Sequence, residues 1–164
     1  MRAKPESPYI ASPNRLADVI AAIQAMAVYD FHMQSFEKWA VRITGDDSKS
    51  EYWKKVFVEH PEFFRLDTTR KLASLVWRRQ YPKRYHVDRQ EMLTEQEYKL
   101  LDEDETTRLS RPPLGPGDIK TLIDAATNLH TRAVELRRES RWWVPLAGAL
   151  GALAGAIIGS VLKG

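Results

Sequence analysis

The side chains best suited to hold a metal or move a proton in this chain are four histidines, His32, His60, His86 and His130. None has a partner at the spacing of a zinc-binding helix. His86 with Asp88 is the one near pair suited to contribute to a metal site, and a histidine at the surface or at the edge of the core accounts for it more simply. Cysteine is absent from all 164 residues, which excludes disulfides, thiolate ligands and a cysteine nucleophile and suits a reducing compartment. There is no Gly-rich phosphate loop and no Gly-x-Ser-x-Gly elbow. Glu59 with Glu62, or the run Asp102-Glu103-Asp104-Glu105, would be the carboxylates for acid–base chemistry, but solvated charge explains them as well. The expectation is a protein without catalytic residues, metal or cofactor.

A basic cluster carries more information. Arg65, Arg70, Lys71, Arg78, Arg79, Lys83 and Arg84 fall close together, interleaved with Phe64, Trp77, Tyr81 and Tyr85. Such a mixture grips phosphates and stacks on bases. It also suits anionic lipid headgroups, where each basic residue near the surface contributes about 1 kcal/mol. The third possibility is a solvated face balanced by Asp88, Glu91 and the acidic run. Lys and Arg total 25 against 22 Asp and Glu, a formal charge of +3. That is low for a dedicated nucleic-acid binder, so contact with protein or membrane lipid is preferred over nucleic acid.

Elements must position these groups. Charged residues make up 29% of the chain and mean hydropathy is −0.45, yet Trp142 to Leu162 is 21 residues without a formal charge. As a helix it would be about 31 Å long, the thickness of a bilayer core. Arg137, Arg138, Arg141, Trp142 and Trp143 suit the membrane interface. The sequence therefore predicts a single transmembrane helix over 142–162, with the preceding residues in the cytoplasm at a bacterial inner membrane. Within it Ala147, Gly151, Gly155 and Gly159 form a glycine-zipper row suited to a homo-oligomer, and Gly148, Ala152, Ala156 and Ser160 form a second.

Residues 111–117 are a Pro/Gly break, and 118–141 an amphipathic juxtamembrane helix. Ile119, Leu122, Ala126, Leu129, Ala133 and Leu136 alternate three and four apart. This seam suits either a parallel stalk or packing on the chain's own N-terminal helices, the second being preferred. Residues 1–12 read as a disordered N-terminus without the apolar core of a signal peptide. Over 13–110 the pattern is a helical domain: helices near 13–30, 33–44 and 46–60, then Phe63 to Arg79 as a hairpin in preference to a helix, then a capped helix from Thr94.

Three helices followed by a basic hairpin resemble a winged helix-turn-helix domain, with His60-Pro61-Glu62-Phe63-Phe64-Arg65-Leu66 as the helix-to-wing junction. The expected fold class is thus mainly α: a small winged-helix-like cytoplasmic domain with one short β-hairpin, and a long C-terminal helix running into the membrane. The whole chain also resembles a group of short bacterial proteins, uncharacterised in function, with one C-terminal membrane segment. The residues behind this are Glu59-His60-Pro61-Glu62-Phe63-Phe64-Arg65, Ser74-Leu75-Val76-Trp77-Arg78-Arg79, Leu109-Ser110-Arg111-Pro112-Pro113-Leu114 and Arg141-Trp142-Trp143-Val144-Pro145. That resemblance implies no activity and no site residues. The function expected is a membrane-anchored interaction or assembly module that binds a protein partner. The alternatives are an oligomeric pore or leak gated by the cytoplasmic domain, and a membrane-tethered winged-helix regulator that binds DNA.

Overall fold

The structure is a computed structural model and describes residues 7–139. Helix α1, Arg15–Val28, buries Val19, Ala22, Ile23, Met26 and Ala27, which recur three and four apart and so share one face. It stops where Tyr29 turns extended, and the chain enters strand β1, Met33–Ser35. Helix α2, Phe36–Thr44, begins at once because the Ser35 side chain caps the Lys38 N–H, and it ends at Gly45, whose φ of 74° is the left-handed geometry glycine tolerates. Helix α3, Ser50–Glu59, presents Trp53, Val56 and Phe57 to the same core.

Strands β2, Phe64–Leu66, and β3, Leu72–Leu75, form the expected hairpin, and β1 adds to its other side in the order β1-β3-β2, all antiparallel. The Asp67 carboxylate organises the tip. It accepts the Lys71 and Leu72 N–H groups at 2.8 Å each and bonds Thr69, which lets Arg70 take a left-handed φ of 57°. Over residues 15–75 the order is α1, β1, α2, α3, β2, β3 with the third strand central, and the winged-helix-like domain with one hairpin that the sequence suggested is not the fold class observed, which combines helices with two small sheets.

A second sheet follows: β4, Tyr85–His86, sits between β5, Glu91–Met92, and β6, Leu109–Ser110. Two short helices, α4 (Glu95–Lys99) and α5 (Glu103–Thr107), connect its edges. The Thr94–Glu97 capping box starts α4, and the Asp102 side chain starts α5. Helix α6, Pro116–Glu139, then lies back along α1 and buries Leu122, Ala126 and Ala133. The core is aromatic where α2, α3 and β2 meet: Phe57 stacks with Trp53 and Phe36 at 6.2 Å and meets Phe64 at 5.1 Å. Burying one such ring contributes about 2–3 kcal/mol.

Several expectations are corrected. The single hairpin is one part of two three-stranded sheets. Of the two readings of the C-terminal seam, the structure has the preferred one, packing on the N-terminal helix α1, where the small residues Ala126 and Ala133 allow close approach while the charged side faces water. Among the described residues no helix is long and apolar enough to cross a membrane, so the single-pass anchor and the inner-membrane placement are not supported. The segment 142–162 on which they rested, with Arg141, Trp142, Trp143, Ala147, Gly151, Gly155 and Gly159, lies outside the described residues.

Candidate functional site

The basic cluster is not all surface. Arg65, Arg70 and Lys71 are exposed on β2 and the hairpin tip. Arg78, Arg79, Lys83 and Arg84 follow the other end of β3, a strand about 13 Å long. Between them the character changes altogether, because Arg78 has 0% of its surface exposed. Its Nη1 donates to the carbonyl of Met26 at 3.0 Å and to that of Tyr29, and its Nη2 to Asp30 at 3.0 Å and to Arg111. Burial lowers its pKa to about 10, which leaves it charged at neutral pH. Arg111 repeats the device on a smaller scale, donating to the Arg79 carbonyl at 2.7 Å and to that of Tyr81. These two arginines fasten the end of α1, the turn Trp77–Gln80 and the segment after β6 to one another, which is structural work. Arg137 and Arg138 are exposed in the last turn of α6.

The histidines are likewise built into the frame. His86 is buried, its Nδ1 accepts the Arg89 N–H at 3.4 Å, and neighbouring Asp88 is engaged by Arg108 instead. Among the described residues no group of three or more metal-binding side chains comes together. His60 is fully buried; its Nδ1 and the Tyr9 hydroxyl both meet Glu62 Oε1, at 3.1 and 2.9 Å. Burial pushes Glu62 up, but the bonds from His60, its own backbone and Tyr9 outweigh it and hold the carboxyl below its usual range. Burial and the Glu62 contact raise Tyr9. This triad ties the N-terminal segment to the end of α3.

The open surface lies elsewhere. Tyr29, Phe31, Gln34, Glu37, Lys38, Val41, Arg42, Asp47 and Arg108 line an open cleft of about 570 Å³. A shallower hollow of about 300 Å³ adjoins it across Tyr29 and Arg42 and adds Ala25 and Val28. The Arg42 guanidinium sits 3.4 Å above the Tyr29 ring centroid and donates to its hydroxyl, so it forms the ridge between the two hollows. Tyr29 is in turn braced edge-on by the buried Trp39 at 5.8 Å. Across the cleft Arg108 lies 5.2 Å from the Phe31 ring centroid, aimed there by a two-pronged contact with Asp88, 2.7 Å at Nε. Val28 and Val41 are 58% and 49% exposed beside these stacked arginines.

No protein-family model, curated protein or solved structure matches the chain.

The acid–base content of the cleft is ordinary. Glu37 is lowered by its own backbone N–H and by Ser35, which is the behaviour of a carboxylate at a helix start. Sequence reasoning missed this surface, although it left a trace. Val28 and Val41 fall outside the apolar phases of α1 and α2, where a merely solvated face would be polar.

Proposed function

We propose that this chain is a non-catalytic binding module that docks a partner protein on the surface formed by Tyr29, Phe31, Val41, Arg42 and Arg108. The observation carrying this reading is the Arg42–Tyr29 stack standing between two exposed valines. Tyrosine and arginine are the side chains most enriched at the energetic centres of protein interfaces, and a guanidinium already fixed by stacking loses little entropy on binding. The burial of Arg78 favours it further, since it removes one cation from the basic run that would meet a phosphate backbone. On α3, Lys54 is paired with Glu51 at 3.1 Å and Lys55 with Glu59 at 3.8 Å, so the helix that would read a groove in DNA is internally neutralised.

The test compares the full chain with Val41→Glu, Arg42→Glu and Arg70→Glu/Lys71→Glu. A partner captured by the wild type is identified, purified and titrated against all four. The two groove variants should lose at least about tenfold in affinity, about 1.4 kcal/mol, with unchanged melting temperature, and the hairpin-tip variant should bind as the wild type does. Equal affinity for all four proteins would sink the reading. Duplex DNA binding that falls steeply with salt and is lost only in the hairpin-tip variant would replace it with nucleic-acid recognition.

A further inference from the structure

The cleft carries charges of both signs that the fold leaves unpaired. Glu37 and Asp47 line it beside Lys38 and Arg42, and among the described residues none of the four has an opposite charge at ion-pair distance. Arg108, the fifth charge of the lining, is closed off by Asp88. The open balance is thus two carboxylates against two cations. Other helices treat their exposed charges differently. α3, α4 and α6 each pair a lysine with a carboxylate three or four residues away, whereas α2 pairs none. Local bonds explain the exception. Glu37 is held at the start of α2 by Ser35 and its own N–H, and Lys54, whose charge also acts on it, is bonded to Glu51 at 3.1 Å. Arg42 is stacked on Tyr29, and Lys38 stands four residues from Arg42, a like charge. Val41, half exposed, lies among them on the same lining.

We infer that the protein docked in this cleft is a second copy of the same chain, related to the first by a two-fold axis. A two-fold contact sets one patch against itself, so the patch must complement itself. A face of a single sign repels its own copy, whereas a face with carboxylates and cations in equal number can set each against the opposite sign. The exposed Val28 and Val41 supply apolar area, and the stacked Arg42 is an anchor already ordered before contact. The inference rests on the docking reading of the same surface and names its partner.

The experiment measures the mass of the full chain by sedimentation equilibrium over a wide concentration range, for the wild type and for two charge-reversed proteins. Glu37→Lys/Asp47→Lys makes the open charges of the patch all basic, and Lys38→Glu/Arg42→Glu makes them all acidic. The wild type should be a dimer that dissociates on dilution and weakens with rising salt. Each reversed protein alone should associate at least about tenfold more weakly, and the two mixed in equal amounts should recover association. Recovery on mixing shows that both variants fold, and the salt titration needs no variant at all. A wild type that stays monomeric, while a separately captured partner still depends on Val41 and Arg42, would overturn the second copy and leave the docking surface standing. A dimer unaffected by either reversal would place the contact elsewhere and overturn the inference likewise. Reversed proteins with unchanged melting temperatures that lose association and do not recover it on mixing would overturn the charge pairing. A dimer and a captured partner both indifferent to Val41→Glu and Arg42→Glu would overturn both readings.

Discussion

Arg78 donates from Nη1 to the carbonyl oxygen of Met26 at 3.0 Å, joining residues 52 apart in sequence. Met26 belongs to the last turn of α1, where carbonyl groups have no partner further along the helix. The same guanidinium reaches Tyr29, Asp30 and Arg111, so one side chain caps the helix, fixes the start of the segment that contributes Tyr29 and Phe31 to the cleft, and holds the segment after β6. The cleft owes its shape to this contact, because Tyr29 leaves α1 in the direction Arg78 sets.

Replacing Arg78 should therefore be among the costliest changes in the domain. Arg78→Met removes a donor from four carbonyl groups, of which that of Asp30 keeps Ser110 Oγ, and a loss of about 3–5 kcal/mol is expected. Arg78→Lys should recover only part of it, since a single ammonium does not reproduce a planar fork. Arg79→Glu, on an exposed neighbour, should change stability by about 0.5 kcal/mol or less. Urea titration of the three variants checks the ordering, and equal midpoints for Arg78→Met and Arg79→Glu would contradict it.

A pH dependence follows from His32. Its backbone N–H donates to Ser110 Oγ at 2.9 Å, and Ser110 Oγ donates to the Asp30 carbonyl at 2.7 Å. Burial, and after it the charges of Arg111, Arg78, Lys83 and Arg79, pushes the imidazole down to about 3 from an ordinary value of 6.5. The folded protein keeps His32 neutral while the unfolded chain protonates it. This contribution is thus fully present above pH 6.5 and is lost as the pH falls from there toward 3. With screening at its solvent-facing edge, the slope should be at most about 1 kcal/mol per pH unit. Denaturant midpoints at pH 7 and pH 5 should differ more for the wild type than for His32→Gln, and parallel curves would contradict the assignment.

The packing of α6 on α1 gives a third expectation. Ala126 has no exposed surface, and enlarging it separates the two helices. Ala126→Leu should cost about 1–3 kcal/mol through overpacking. Leu136→Ala should cost about 0.5 kcal/mol or less, because Leu136 is 59% exposed although it continues the same heptad phase. If the seam served a coiled-coil stalk instead, Leu136→Ala would be the more damaging change, and thermal melts distinguish the two.

The sequence by itself determined the features set within a few residues of chain. Gly45 and the Thr94–Glu97 pair mark helix ends because capping bonds are local, and the phases of Val19, Ile23, Ala27 and of Trp53, Val56, Phe57 mark buried faces because a helix repeats every 3.6 residues. Ser35, which starts α2, instead fell inside the helix expected from residue 33. The β2–β3 hairpin was legible from two apolar runs around a polar turn. Strand β1 and the second sheet were not, since strands of two or three residues are too short to display a period of two, and their pairing depends on partners up to dozens of residues away. The basic cluster was legible as a run, but not which of its members stays at the surface. Only tertiary structure decided that Arg78 goes inside, where four carbonyls offset its desolvation, while Arg70 and Lys71 stay on a distant hairpin tip. The candidate site escaped the sequence for the same reason: Tyr29, Arg42 and Arg108 meet only because α1 ends, α2 turns and the second sheet folds back, and a ring–guanidinium contact between residues so far apart leaves no mark in linear spacing.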